Sequence, residues 1–229
     1  DNENQFVPND LTSDLWGMHN VGQKGGKVDA DIAAPEAWKL QTGSGNTFKI
    51  AVIDTGVDYN HPDLKANMWT NPGEIAGDGI DNDGNGVIDD VHGFNAFANS
   101  GNPMDGHGHG THCAGTIGAV GNNELGVVGA SHNAQIMAVK IFDDKGSTNT
   151  AAILRGIEYT TKMGARITSN SWGGGPASEA QKEAFAASPA LHIMAAGNNG
   201  RDNDKTANFP SNYELTNNIA VAASDRNDK

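Results

Sequence analysis

Lys49-Ile50-Ala51-Val52-Ile53-Asp54-Thr55-Gly56 is the stretch that decides the fold. Four apolar residues in a row, two of them β-branched isoleucines, are too few for a helix. Bounded by polar residues and glycine, they read as a strand buried on both faces, the habit of a parallel sheet. Similar short runs recur at 136–141, 167–172, 191–197 and 219–223. Between them, segments 111–120, 148–163 and 178–187 carry helical spacing, with Ile153, Ile157 and Thr160 on one face of the second and Ala180, Ala184 and Ala187 on one face of the third. A short helix is expected over 34–41, with Pro35 in its first turn and Gly43 closing it. Strands alternating with helices predict an α/β fold, doubly wound around a mainly parallel sheet, with ligands at the carboxyl ends of the strands.

The chain has 229 residues, enough for one large domain. Residues 1–30 are polar and glycine-rich and read as an arm on that domain, with Trp16 and Met18 as anchors; residues 31–229 form its body. A long acidic, glycine-rich insertion over 71–102 interrupts the alternation, and loops of that length are usually functional. Acidic residues outnumber basic ones 28 to 15, a net charge of −13. That balance argues against a nucleic-acid partner, which needs a basic face, and fits bound cations. No apolar run approaches the roughly 20 residues of a membrane span, so no membrane partner is expected. No basic-then-apolar leader opens the chain, so any export signal is expected to have been removed. Cys113 is the single cysteine, which rules out an internal disulfide.

Four segments carry chemistry. Asp54 closes the first strand, where a sheet places its site. Asp105-Gly106-His107-Gly108-His109-Gly110-Thr111-His112-Cys113 puts histidines at the mouth of a helix, with glycines that keep an imidazole reachable. A histidine oriented by a carboxylate is a general base. Ala195-Ala196-Gly197-Asn198 offers an amide on a glycine turn, suited to a developing oxyanion. Ser169-Asn170-Ser171-Trp172-Gly173 exposes backbone at a strand end, where an extended peptide can add as a strand. The three histidines invite zinc, but no His-Glu-x-x-His pattern occurs and none is expected. His112 is expected to pack beneath His109, and Cys113 to be a small core residue.

Within the insertion, Asp81, Asp83 and Asn85 place side-chain oxygens at positions 1, 3 and 5. Gly86 permits a turn and Val87 offers a carbonyl at position 7. This is the first half of an EF-hand-like calcium loop. Position 12 is His92, so Asp89 or Asp90 must close it. The bland reading of the same residues is a solvated acidic turn.

Taken together and in order, Ile-Ala-Val-Ile-Asp54-Thr-Gly, His61-Pro-Asp-Leu, His109-Gly-Thr-His-Cys-Ala-Gly-Thr, Asn170-Ser-Trp-Gly-Gly and Ala-Ala-Gly-Asn198 resemble the subtilisin-like serine proteases. The resemblance covers nearly the whole chain. It implies a subtilisin-like fold and a secreted endopeptidase acting on polypeptide substrates, made as a zymogen with a propeptide. It implies that Asp54 orients the imidazole, that His109 is the base and that Asn198 donates to the oxyanion. Ser171, Trp172 and Gly173 then line one edge of the substrate groove, and Gly146, Ser147 and Thr148 the other. It also implies a second calcium site from Asp10, Asp63 and Asn123 with the carbonyls of Val120, Leu125 and Val127. The family's nucleophile sits in a Gly-Thr-Ser-Met-Ala-type motif, which is not found here. The expectation is that the serine lies beyond Lys229, in a C-terminal third missing from this chain and acting as its partner, and that the isolated chain is inactive. The competing reading is an inactive, calcium-stabilised, peptide-binding pseudoprotease.

Overall fold

The computed structural model describes residues 7–43 and 48–229; the first six residues of the expected arm lie outside them. Six strands form one sheet: β1 Lys49–Asp54, β2 Gly93–Asn95, β3 Gln135–Lys140, β4 Ala165–Asn170, β5 Leu191–Ala195 and β6 Asn218–Val221. Every pairing is parallel, in the order β2-β3-β1-β4-β5-β6. The helices are α1 Ala34–Trp38, α2 His109–Gly118, α3 Thr150–Lys162 and α4 Glu179–Ala187. From β1 the chain first forms the edge strand β2, then places β3 between the two, and returns to build β4 to β6 on the other side of β1. The winding therefore reverses beside β1, and a crevice opens at its carboxyl end. Asp54 stands in that crevice.

The central strand is apolar because both its faces are covered. Ala51, Val52 and Ile53 are fully buried. Ala51 and Ile53 join Met137, Val139 and the α3 residues Ile153 and Ile157, with Phe185 of α4, in one core. Val52, Ile136 and Ala138 join Ala114 of α2 in another across the sheet. Helices thus lie on both faces, as the alternation predicts. They do not cover both faces equally. Ile167, Leu191, Ile193, Ile219 and Val221 share the α2 side of the sheet by register, and there Leu191, Ile219 and Val221 are exposed.

Several boundaries and faces differ from the sequence reading. The first helix stops at Trp38, where Lys39 caps it. The last strand ends at Val221 rather than 223, and β4 and β5 also end short of expectation. On α4 the buried face belongs to Gln181 and Phe185, while Ala180 and Ala187 are exposed. A buried phenylalanine outweighs alanine methyls in setting which way a helix turns. The insertion is not all loop: β2 lies within it and pairs with β3 at the sheet edge. Three residues with a single large apolar side chain give too short a pattern to stand out.

Arm residue Met18 packs with Ala34, Trp38 and Val128, with Leu11 and Leu15 against them. Trp16 is only half-buried and lines a cavity instead. Among the described residues, no helix is long and apolar enough to cross a membrane.

Candidate active site

Asp54 is buried at the end of β1, 1% exposed. Its Oδ1 lies 2.7 Å from His109 Nδ1 and accepts the Thr55 amide at 2.7 Å. The other oxygen, Oδ2, is buried without a partner among the described residues. The His109 side chain opens the first turn of α2 and stays 47% exposed. A buried carboxylate therefore holds one ring nitrogen while the rest of the ring faces solvent.

Two glycines permit this approach. A Cβ on Gly110 would stand 2.1 Å from the Gly56 carbonyl and 3.0 Å from Asp54 Cβ, so the mouth of α2 sits directly on the β1 turn. Gly56 has φ +107°, and its Cβ would stand 2.4 Å from the Pro103 carbonyl. Hydrogen bonds complete the joint. The Gly110 amide donates to Thr55 Oγ1 at 2.9 Å, and that hydroxyl donates to Asp105 Oδ1 at 3.0 Å. Asp105 also accepts from the amides of His107, Gly108 and Thr111 and from the Thr111 hydroxyl, satisfying the free donors at the α2 N-terminus. Burial alone would raise the Asp105 carboxyl, but bonds from Thr111, Gly108 and His107 together hold it below the usual carboxylate range. Sequence reasoning missed Thr55 and Asp105 as supports. An Asp just ahead of a helix is a capping signal and could have marked the second.

His112 does not lie beneath His109. It is exposed and lines a cavity of about 910 Å³ between α2 and the arm residues Leu15, Trp16 and Met18. Cys113 does lie below the base, half-buried, with Sγ 3.9 Å from His109 Nδ1. Burial pushes its thiol up, so it is protonated at neutral pH and a poor nucleophile.

The two expected groove edges follow the strands on either side of β1. Gly146 and Ser147 sit in a turn closed by Asp143, whose Oδ1 accepts the Ser147 amide at 2.8 Å. Thr148 Oγ1 donates to the Ile141 carbonyl at 2.5 Å. Across from them, the Trp172 indole is half-buried and its N–H donates to the Ile53 carbonyl at 2.9 Å. Trp172, Gly173 and Thr148 meet around a cleft of about 220 Å³ with Phe142, Ile153 and Phe209. Ser171 is half-buried between this edge and Cys113. Asn198 is exposed three residues beyond β5, on a turn where Gly197 has φ +104°. β5 is two strands from β1, about 10 Å at usual strand spacing.

Two acidic clusters could hold cations. In the insertion, ligand atoms of Glu74, Asp83 and Asp90 converge to within 4.8 Å of one another. Asp90 is fully buried, and burial raises its carboxyl despite bonds from Tyr159 and Asn85. Asn85 Nδ2 donates to Asp83 at 3.1 Å and to Asp90 at 2.9 Å. Asp81 is turned differently, accepting the Asn85 and Gly86 amides, and Val87 is buried in the core. Asp89 accepts the Gly77 and Gly79 amides. Glu74 was missed because it stands seven residues ahead of the loop pattern. Three converging carboxyl groups with hard oxygen donors fit a calcium ion.

The second cluster ties the arm to the α2–β3 loop. Asp10 and Asp63 are buried at 4% and 3% exposure. Asn123 donates through its amide to Asp10 and through Nδ2 to Asp63 at 3.1 and 2.8 Å. The Val127 amide reaches Asp63 at 3.0 Å, and the Val120 amide reaches the Asp63 carbonyl at 2.9 Å. Leu125 is exposed on the same loop. Asp10 Oδ1 is buried without a partner among the described residues, an oxygen that also fits a hard cation.

Comparison with known proteins gives a consistent picture. The model of the subtilase family matches residues 45–229. Thermitase from Thermoactinomyces vulgaris is 38% identical over 200 residues, 86% of this chain and 61% of that protein. Subtilisin-like protease 1 from Plasmodium berghei is 44% identical over 134 residues, 58% of this chain and 22% of that protein. The cell wall-associated protease of Bacillus subtilis is 31% identical over 214 residues, 93% of this chain and 21% of that protein. The chain thus spans from about a fifth to about three fifths of these relatives. Its parallel sheet with helices on both faces is a subtilisin-like α/β fold, and by the match from residue 45 onward the chain belongs to the subtilase family.

Proposed function

We propose that this chain supplies the general base, its orienting carboxylate and an oxyanion donor of a serine endopeptidase. The observation that carries the reading is the 2.7 Å bond between His109 Nδ1 and buried Asp54, with the imidazole otherwise open. The Asp54 bond leaves Nε2 of His109 free to take a proton from a serine hydroxyl as its oxygen attacks the scissile carbonyl. Asp54 stays ionised and stabilises the imidazolium. Asn198 donates to the carbonyl oxygen as it becomes an oxyanion. His109 then returns the proton to the departing amine, and water repeats the sequence on the acyl-enzyme. The substrate lies extended between Gly146-Ser147-Thr148 and Ser171-Trp172-Gly173, paired as an added strand. The aromatic cleft beside Trp172 suits an apolar side chain.

The serine comes from a C-terminal remainder outside this chain. The exposed apolar residues Leu191, Ile219 and Val221 of β5 and β6 and the cavity beside α2 support this, because a parallel sheet normally buries both faces. Calcium is held by Asp83, Asp90 and Glu74, with Asp81, Asn85 and Val87 around them, and by Asp10, Asp63 and Asn123 with carbonyls of the 120–127 loop. The protein works outside the cell and matures from a zymogen by losing a propeptide; the resemblance to a cell wall-associated protease supports the location. Residues 1–30 act as an arm on the catalytic domain, which carries the 71–102 insertion.

The test is cleavage of a denatured protein substrate by the whole protein and its variants. Asp54→Asn is expected to lower kcat by about 10⁴-fold and His109→Ala by more. Peptide binding with no cleavage in the parent would instead establish the pseudoprotease reading.

A further inference from the structure

Lys140 is a buried cation that the proposed chemistry does not use. It ends β3 as the register partner of Asp54, so both side chains leave the sheet on the α2 face. It is 5% exposed. Its Nζ donates to the Thr55 carbonyl and to Asp144 Oδ1, each at 2.7 Å. Thr55 already binds Asp54 through its amide and Gly110 and Asp105 through its hydroxyl. Asp144 lies flush against the loop that leads into α2: a Cβ on Gly106 would stand 2.3 Å from its Cγ. The pair therefore touches both halves of the joint, the β1 turn that bears Asp54 and the loop that delivers His109. Burying an ammonium for a single ion pair is costly, and a methionine would fill the same space without that cost. The charge has to do something a neutral side chain could not.

We propose that Lys140 is a positioning residue that, with Asp144, clamps the Thr55 carbonyl and so fixes the Asp54 carboxylate against His109. This rests on the reading of Asp54 and His109 as a catalytic pair. The clamp also sets the local field. His109 is faced by Asp54 of β1 at 2.7 Å, by Cys113 of α2 at 3.9 Å and by His107 of the preceding loop, with ring centroids 6.4 Å apart. Lys140 and Asp144 add a cation and an anion that cancel only while both are charged.

The experiment reads His109 directly in the whole protein and needs no turnover, so its outcome is independent of whether that protein cleaves peptides. Isotope-labelled histidine allows the His109 titration and its low-field Nδ1 proton to be followed by NMR. In Lys140→Met, loss of the cation alone would raise the midpoint by roughly half a pH unit, and a loosened bond to Asp54 offsets that rise. The Nδ1 proton is expected to move upfield as the bond to Asp54 loosens. In Asp144→Asn, the cation is left alone and the midpoint is expected to fall by a similar amount. Asp144 is 65% exposed, so that variant folds even where Lys140→Met does not. Lys140→Arg keeps the charge and is expected to restore the wild-type titration. An Nδ1 proton moved upfield in both Lys140→Met and Asp144→Asn and restored in Lys140→Arg is the signature of the clamp, because the two lost charges alone would shift the midpoints in opposite directions without it. An Nδ1 proton that stays in place in both variants, whatever the midpoints do, would overturn it.

Discussion

At the scale of the residue, the joint between β1 and α2 is built from contacts that leave no room. Gly56 combines φ +107° with a 2.4 Å approach of its would-be Cβ to the Pro103 carbonyl. Gly56→Ala is expected to destabilise the protein by about 2–3 kcal/mol, from backbone strain and overpacking together. Urea unfolding checks it; a loss below about 0.5 kcal/mol would contradict the tight joint. His192 offers a second test. It is fully buried on β5, bonded to Thr168 Oγ1 at 2.7 Å and edge-on to Phe185 at 4.8 Å. Burial lowers its pKa to about 4, below the roughly 6.5 of an unfolded histidine. The folded state therefore binds fewer protons between those values. Stability is complete above pH about 6.5 and falls as pH drops toward 4, by about 3 kcal/mol. His192→Gln is expected to flatten that slope in pH-dependent unfolding curves, and an unchanged slope would assign the effect elsewhere. Asp54 and His109 were legible in the sequence because each sits in a short pattern of residue types that only a strand end or a helix mouth explains. Thr55, Asp105 and Lys140 were not, because their roles arise from neighbours 50 to 85 positions away in the chain, which no local pattern encodes.

At the scale of the element, apolar runs identified every strand except β2, and helical spacing located α2, α3 and α4. The error on α4 is instructive. Alanines at helical spacing looked like a face, but Phe185 alone determines which side is buried. Its start was readable: Ser178 caps it through Gln181, as Asn149 caps α3 through the Ala152 amide at 2.9 Å. Asn149→Ala is expected to cost about 1 kcal/mol in unfolding free energy, with no loss exposing the cap as incidental. The insertion is the element whose reading was half right. Its acidic character was evident, but the chain folds Glu74 back to Asp83 and Asp90 and turns Asp81 away toward backbone amides. Calcium held at these two clusters, as proposed, would stabilise only the folded state. Excess chelator is expected to lower the melting temperature by about 5–10 °C, and Asp90→Asn to remove part of that response. Unchanged melting in chelator would sink the calcium reading at both clusters.

At the scale of the whole molecule, the sheet is covered on both sides over β1 and β3, and on its α2 side it opens at β5 and β6, where Leu191, Ile219 and Val221 are exposed. The net charge is −13, yet this apolar row on β5 and β6 remains open. The fold class and the parallel order follow from alternating short strands and helices. The half-covered face does not, because a residue such as Ile219 reads as core whether or not anything packs on it. The central claim joins this open face to the Asp54–His109 pair: a serine delivered there becomes a nucleophile. Its most direct test is labelling of the purified native protein with a fluorophosphonate probe, followed by denaturing separation and intact mass. The account expects the label on a serine outside residues 1–229, dependent on His109 and lost in His109→Ala. Label that persists in that variant, or no label on any polypeptide of the parent, would contradict it.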